Sequence, residues 1–268
     1  MERIKIDFES GYFSALRGGS GFPLLMLHGS GPGVSAAANF RLVLEDLERS
    51  YRVLAIDLIG FGESARKTSK PFFDLDLWLR QARFALDLLG DGPVGIIGHS
   101  ISAVLALKLA AAVPRVTKVM TTGAMGGKFI ANRDLELTWS FQKSREDLRA
   151  AMQSLIYDHS LISEGLLDSR MALLSANDYA AYFNEMFAGD KQKYIDACIL
   201  PDAELRAIKC PVTLMHGRDD KPIPAIENSL KIGALIPNAD VVVLGRCGHS
   251  PALEHPRKFV DVARMVFG

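Results

Sequence analysis

The 268-residue chain predicts an α/β fold: a mostly parallel, eight-stranded sheet with helices on both faces and a helical insertion after the sixth strand. Two observations predict it. Short apolar runs of strand length alternate with segments of helical periodicity, the pattern of βαβ units. That alternation breaks between residues 128 and 206, where charged and large apolar residues read as several helices and no clear strand, and it resumes after Pro211.

The elements follow in order. IKIDF and YFSALRG form an antiparallel pair joined near Gly11. PLLMLHG (23–29) is a buried strand entering a glycine-rich turn, and SAAANFRLVLEDLE (35–48) has helical spacing. RVLAIDLIG (52–60) is a strand and turn; Asp57, Gly60 and Gly62 shape that turn. LDLWLRQARFALDLLG (75–90) is an amphipathic helix ending at Gly90. PVGIIG (93–98) is a strand, SAVLALKLAAAV (102–113) a helix stopped by Pro114, and KVMTTGA (118–124) the sixth strand. After the insertion come the strand VTLMHG, a helix near 225–235, the strand VVVLG and a helix from about 256. Residues 1–127 and 207–268 thus form one core. Residues 128–206 read as a lid over the C-terminal edge of the sheet, where such sheets bind ligands.

Composition narrows the function. Thirty-one basic and 31 acidic residues leave no net charge, which argues against nucleic acid or an anionic membrane as partner. The longest apolar stretch, AVLALKLAAAV, is broken by Lys108 and stops at Pro114, too short to span a bilayer. MERIKIDFES lacks the apolar region of a secretory leader, and three scattered cysteines suggest a reducing compartment, so a cytoplasmic location is expected. No His, Cys and Asp cluster has metal spacing. GSGPG (29–33) does not continue as a dinucleotide loop, because Val34 stands where a glycine is required. No cofactor is expected.

G-x-S occurs five times, at 18–20, 33–35, 62–64, 98–100 and 248–250. Only Gly98-His99-Ser100 follows a fully apolar strand and opens a helix without a gap, as a nucleophile elbow requires. The competing reading of Ser100 is a helix N-cap. A serine nucleophile needs a base, and the base needs an orienting carboxylate. VTLMHGRDD (212–220) ends in a turn with Asp219 and Asp220, and VVVLGRCGHS (241–250) ends in a turn with His249. Ser100, an aspartate and His249 would then converge at one sheet edge. His28 and His216 precede turn glycines and read as braces; His255 begins the last helix, His159 lies in the insertion, and Cys247 reads as a packed small side chain.

These residues resemble the α/β-hydrolase fold family over nearly the whole chain. LMLHGSGPG, DLIGFGES, IIGHSIS, HGRDDKPIP and GRCGHSPALEHP occur in that family's order and spacing. The family's acid stands three residues after the turn glycine, which implies Asp220. A narrower resemblance is to the meta-cleavage-product hydrolases, which cut a carbon–carbon bond in ring-fission products of aromatic catabolism. HGSGPGVSAAANF (28–40), YDHSLISEGLLDSR (157–170) and TTGAMGGKF (121–129) carry it. It implies an oxyanion hole from the amides of Ser30 and Ile101, and an active-site Asn39. It also implies a lid Arg170 that binds the substrate carboxylate, and a homo-oligomer.

Two positions depart from the subfamily. His99 replaces an asparagine that contacts the dienol end of the substrate, and Ser250 replaces a tryptophan. The implied reaction is ketonisation of the dienol, assisted by His99 or Asn39, then attack of Ser100 on the distal ketone of a small carboxylate substrate. The alternatives are a carboxylesterase or lactonase using the same three residues, and a ligand receptor on this scaffold, since GHSISA also resembles some receptors of this fold.

Overall fold

The computed structural model describes residues 1–141, 143–175 and 178–268. An antiparallel hairpin, β1 (Glu2–Phe8) and β2 (Gly11–Gly18), starts the chain. β3 (Phe22–Leu27) leads to two short helices, α1 (Ala36–Phe40) and α2 (Leu44–Glu48), and then to β4 (Tyr51–Ile56). The sequence predicts one helix over 35–48. The chain instead breaks at Val43, whose φ of −123° leaves the helical region, and the break lets Phe40, Val43, Leu44 and Leu47 all enter one core.

α3 (Leu75–Asp87) is capped by the Asp74 carboxylate, which accepts from the Leu77 amide at 2.9 Å. It buries a stripe that includes Leu77, Trp78, Ala82, Ala85 and Leu86. β5 (Val94–His99), α4 (Ser102–Ala112) and β6 (Val116–Thr122) follow without an intervening long loop. α4 is buried on nearly all sides, as its almost unbroken run of Ala, Val and Leu requires.

Between β6 and the next strand lie α5 (Arg133–Thr138), α6 (Arg145–Leu155), α7 (Glu164–Leu174), α8 (Tyr179–Met186), α9 (Gln192–Cys198) and α10 (Asp202–Ala207), with no strand among the described residues. Asn132, Ser144 and Ser163 cap the first three; Ser144 and Asp147 cap each other's backbone reciprocally. β7 (Val212–Gly217) resumes the sheet. A π-helical turn, Ile226–Leu230, runs into α11 (Lys231–Leu235), and β8 (Ala239–Leu244), α12 (Pro251–Glu254) and α13 (Pro256–Phe267) complete the chain. α10 rests against α4 and α11, where Lys108 pairs with Glu204 at 2.9 Å.

The eight strands are ordered β1-β2-β4-β3-β5-β6-β7-β8, with β2 antiparallel to both its neighbours and every other pair parallel. Strand alternation splits the apolar side chains between two cores. Leu25 and Leu27 of β3 face α3 and α4, while Leu24 and Met26 face α1, α2 and α13. From β3 the chain crosses one way to β4 and then back to β5, so the order reverses between β3 and β5. The register aligns Leu27 with Gly98, His99 with Thr122 and Gly217 with Leu244, which brings the C-terminal turns of these strands to one edge. A ligand crevice is expected at such a reversal.

Candidate active site

Ser100 stands between β5 and α4 with φ of 58°, in the left-handed region that a residue with a Cβ rarely adopts. Ile101, not Ser100, is the N-cap of α4, so the helix-cap reading of Ser100 does not describe the structure. Three backbone hydrogen bonds hold the strained turn. The Ser100 amide donates to the Thr122 carbonyl at 2.9 Å, and the Ser100 carbonyl accepts from Ala103 at 3.0 Å and Met125 at 3.2 Å. Tight packing explains the glycine two residues earlier: a Cβ on Gly98 would lie 2.5 Å from the Ser102 carbonyl oxygen. The Ser102 hydroxyl ties the elbow to the β3 turn by donating to the His28 carbonyl at 2.5 Å.

His249 follows β8 and donates from Nδ1 to Asp220 Oδ2 at 2.7 Å. That bond keeps the proton on Nδ1 and leaves Nε2 as a base. Asp220 is fully enclosed. Its Oδ2 also accepts from His216 Nε2 at 3.0 Å, and its Oδ1 accepts from the Ile223 amide at 3.0 Å. Burial alone would raise the carboxyl pKa, but His249 and His216 more than offset it and hold Asp220 well below the ordinary carboxylate range. Asp219 turns away and accepts from the Arg246 amide at 2.9 Å, bracing the turn before His249. Gly123 (φ 52°) makes room for the base: a Cβ there would lie 2.9 Å from His249 Nδ1.

The turn after β3 covers Ser100 from the other side. A Cβ on Gly29 would come within 3.0 Å of Ser100 Cβ, so only glycine permits this approach. Asn39 Oδ1 accepts from the Gly29 amide at 3.2 Å, which leaves its Nδ2 free to donate. The Ser30 hydroxyl accepts from Trp139 Nε1 at 2.9 Å. Neither the Ser30 nor the Ile101 amide donates to a protein acceptor among the described residues. His28 Nδ1 donates to the Gly29 carbonyl at 2.6 Å, and its Nε2 accepts from Leu58 at 3.0 Å, so this histidine serves the turn.

A cavity of about 50 Å³ joins these residues; Ser30, Asn39, His99, Ser100, Arg170 and His249 all line it. Arg170 comes from α7. Its Nη1 donates to the Pro32 carbonyl at 3.0 Å, while its Nε is shielded from solvent without a partner. No carboxylate among the described residues lies within ion-pairing distance of it. Burial, and then the neighbouring Arg41, lower its pKa to about 10, which leaves it charged at neutral pH. His99 is buried beside His249, with ring centroids 4.8 Å apart. Burial and His249 together push its pKa well below the ordinary value, so its ring is neutral.

Some of the wall was not read from sequence. Leu135 of α5, Trp139 at its C-terminal end and Leu155 of α6 also line the cavity. The Leu155 carbonyl accepts from the His249 amide at 2.6 Å. Glu254 accepts from the amides of Tyr157, Gly248 and Ser250, so one carboxylate joins the histidine turn to the helical insertion. Nothing in the motifs points to Trp139 or Leu155, whose partners are far away in sequence, or to the bond between Glu254 and the distant Tyr157 amide. His216 could be read as a brace from its place before Gly217, but not as a partner of Asp220.

The sequence matches the family model described as alpha/beta hydrolase fold over residues 23–256. It is 35% identical over 243 residues, 90% of this chain and 87% of the relative, to 2-hydroxy-6-oxo-2,4-heptadienoate hydrolase of Pseudomonas putida. It is 34% identical over 245 residues, 91% of this chain and 86% of the relative, to 2-hydroxymuconate semialdehyde hydrolase of Pseudomonas sp. strain CF600. Among solved structures it resembles the meta-cleavage product hydrolase from Pseudomonas fluorescens IP01, solved as a serine-to-alanine variant with acetates. The TM-score is 0.89 at 31% identity, over 94% of this chain and 93% of that one. It also resembles the 2-hydroxy-6-oxo-6-phenylhexa-2,4-dienoate hydrolase from Rhodococcus sp. strain RHA1, with a TM-score of 0.88 at 26% identity over 98% of both chains.

Proposed function

This chain belongs to the α/β-hydrolase fold family, and on that premise we propose that it is a serine hydrolase that cleaves a carbon–carbon bond in a 2-hydroxy-6-oxo-hexa-2,4-dienoate. The observation that carries the reading is Arg170: a charged guanidinium on the wall of the Ser100–His249 cavity with no carboxylate partner among the described residues. A buried cation of this kind calls for an anion from the ligand. A simple ester would leave it unpaired, which disfavours the carboxylesterase and lactonase alternative. The names of the relatives point to the same substrate class.

In this reading Arg170 and the Asn39 amide hold the substrate carboxylate end, with a charge-assisted contact from the guanidinium. The dienol becomes its keto tautomer, so that the departing carbon leaves as a stabilised enolate. His249 Nε2 takes the Ser100 proton as Oγ adds to the distal ketone. The amides of Ser30 and Ile101 receive the oxyanion, each such donor contributing about 3 kcal/mol in the transition state. As the carbon–carbon bond breaks, His249 returns its proton to the departing enolate; neutral again, it deprotonates the water that releases the acyl group from Ser100. Asp220 holds the tautomer of His249 and stabilises its imidazolium. Residues 128–206 act as the lid that supplies Arg170 and excludes water. The chemistry calls on no metal or cofactor, and the few cysteines suit a cytoplasmic setting.

The test is to add purified protein to 2-hydroxy-6-oxohepta-2,4-dienoate and follow loss of the dienolate colour and the appearance of 2-hydroxypentadienoate. Wild type should bleach it and Ser100→Ala should not. Arg170→Ala should lose roughly 10- to 100-fold in kcat/KM, the value of one charge-assisted hydrogen bond. Persistent colour, together with Ser100-dependent cleavage of a p-nitrophenyl ester, would replace this reading with the esterase.

A further inference from the structure

The imidazole of His99 carries an inference that rests on the proposed function and deepens it. Its Nδ1 lies 3.0 Å from the Thr122 carbonyl oxygen and 3.0 Å from Thr122 Oγ1. A carbonyl oxygen can only accept, and a bare Nδ1 facing its lone pairs at this distance would be repelled. The proton therefore sits on Nδ1. The carbonyl is itself fixed, since it also accepts the Ser100 amide at 2.9 Å. His99 is buried and neutral, so Nε2 holds a lone pair and no proton. The ring edge bearing Nε2 and Cδ2 faces the turn after β3: a Cβ built on Gly29 would lie 3.0 Å from Cδ2 and 3.5 Å from Nε2. His99 and Gly29 both line the cavity shared with Ser100 and Arg170.

We propose that His99 selects the protonation state of the substrate: its Nε2 accepts the enol O–H, so the site takes the neutral dienol and disfavours the dienolate. A 2-hydroxy-6-oxo-dienoate whose carboxylate is ionised has one O–H donor, the enol hydroxyl, and two ketone or carboxylate acceptor ends. The acceptor-only imidazole matches that single donor. Against an enolate oxygen the same lone pair is repulsive, and burial leaves no water to relieve it. An asparagine at this position could turn its NH₂ toward the enolate and would not discriminate in this way. The titratable groups that bear on the ring are His249, Asp220 and His28, and Arg170 lines the same cavity.

The enol and enolate absorb at different wavelengths, so the state of the bound substrate can be read directly. The Ser100→Ala protein is mixed with 2-hydroxy-6-oxohepta-2,4-dienoate across the pH range of the free substrate's enol ionisation. The bound substrate should stay in the neutral band, its ionisation moved up by about one pH unit or more, a tenfold change in the ratio of the two forms. Adding His99→Asn to Ser100→Ala should return the dienolate band, with the melting temperature of each protein measured alongside. A dienolate band in the Ser100→Ala complex at the pH of the free substrate overturns the proposal, as does a neutral band unchanged by His99→Asn. Wild-type protein is run in parallel: if it bleaches the substrate while the Ser100→Ala complex shows dienolate, His99 selection falls and the hydrolase reading stands. If wild type leaves the substrate untouched, both fall.

Discussion

Asp220 shows how much one side chain can hold. Its two oxygens accept three donors: two imidazole N–H groups and the Ile223 amide. An asparagine has only one acceptor oxygen, so Asp220→Asn must leave a histidine or Ile223 facing an NH₂. We expect turnover to fall on the order of 10⁴-fold from loss of the His249 tautomer. Stability should also fall by about 1–3 kcal/mol from the unpaired buried group, read as a lower melting temperature. The pH dependence has a definite sign. The folded carboxyl titrates below its unfolded value, so its contribution is complete above the unfolded value near 4 and is lost as pH falls toward the folded one. Melting temperature against pH should therefore drop in acid for the wild type, and Asp220→Asn should flatten that part of the curve.

At the scale of elements, the site depends on where helices of the insertion meet turns of the sheet. Trp139, at the C-terminal end of α5, stacks on Phe187 with ring centroids 4.8 Å apart and donates to the Ser30 hydroxyl. Trp139→Phe keeps the stacking and loses the hydrogen bond, so it should cost about 1 kcal/mol of stability and change kcat/KM little. Trp139→Ala removes part of the cavity wall and should let substrates with a bulkier group on the distal ketone turn over, at a stability cost of about 3–5 kcal/mol. Competition between 6-methyl and 6-phenyl dienoates would measure the change. Gly248 marks the second junction, since a Cβ there would lie 2.5 Å from the Leu155 carbonyl oxygen. Gly248→Ala should push α6 off the histidine turn and lower kcat more than it raises KM, a split that steady-state kinetics resolves.

For the whole molecule, ligand binding and folding are coupled through Arg170. Its charge is buried at a junction between the insertion and the β3 turn, and a bound carboxylate would pair it. A carboxylate product at 100 times its Kd should stabilise the fold by about 2.7 kcal/mol. For a chain of this size that is a rise of roughly 5–10 °C in melting temperature. Arg170→Ala should abolish most of the rise, and differential scanning fluorimetry would read both.

The α/β class, the eight strands and the elbow at Ser100 are legible in the sequence, because each is written in a local pattern. Apolar runs, glycines at strand ends and a serine opening a helix are features of neighbours in the chain. The sequence also marked His249 and the Asp219–Asp220 pair, since both fall just after strands. Composition and spacing left the choice within that pair open; only the resemblance pointed to Asp220. The structure places Asp220 on His249 and turns Asp219 to the Arg246 amide. Tertiary structure alone decided the break at Val43, the wall of Trp139 and Leu155, the tie through Glu254 and the proton on His99 Nδ1. Each of these depends on a partner distant in sequence, and no periodicity or motif encodes the distance between two side chains that only the packed sheet and helices bring together.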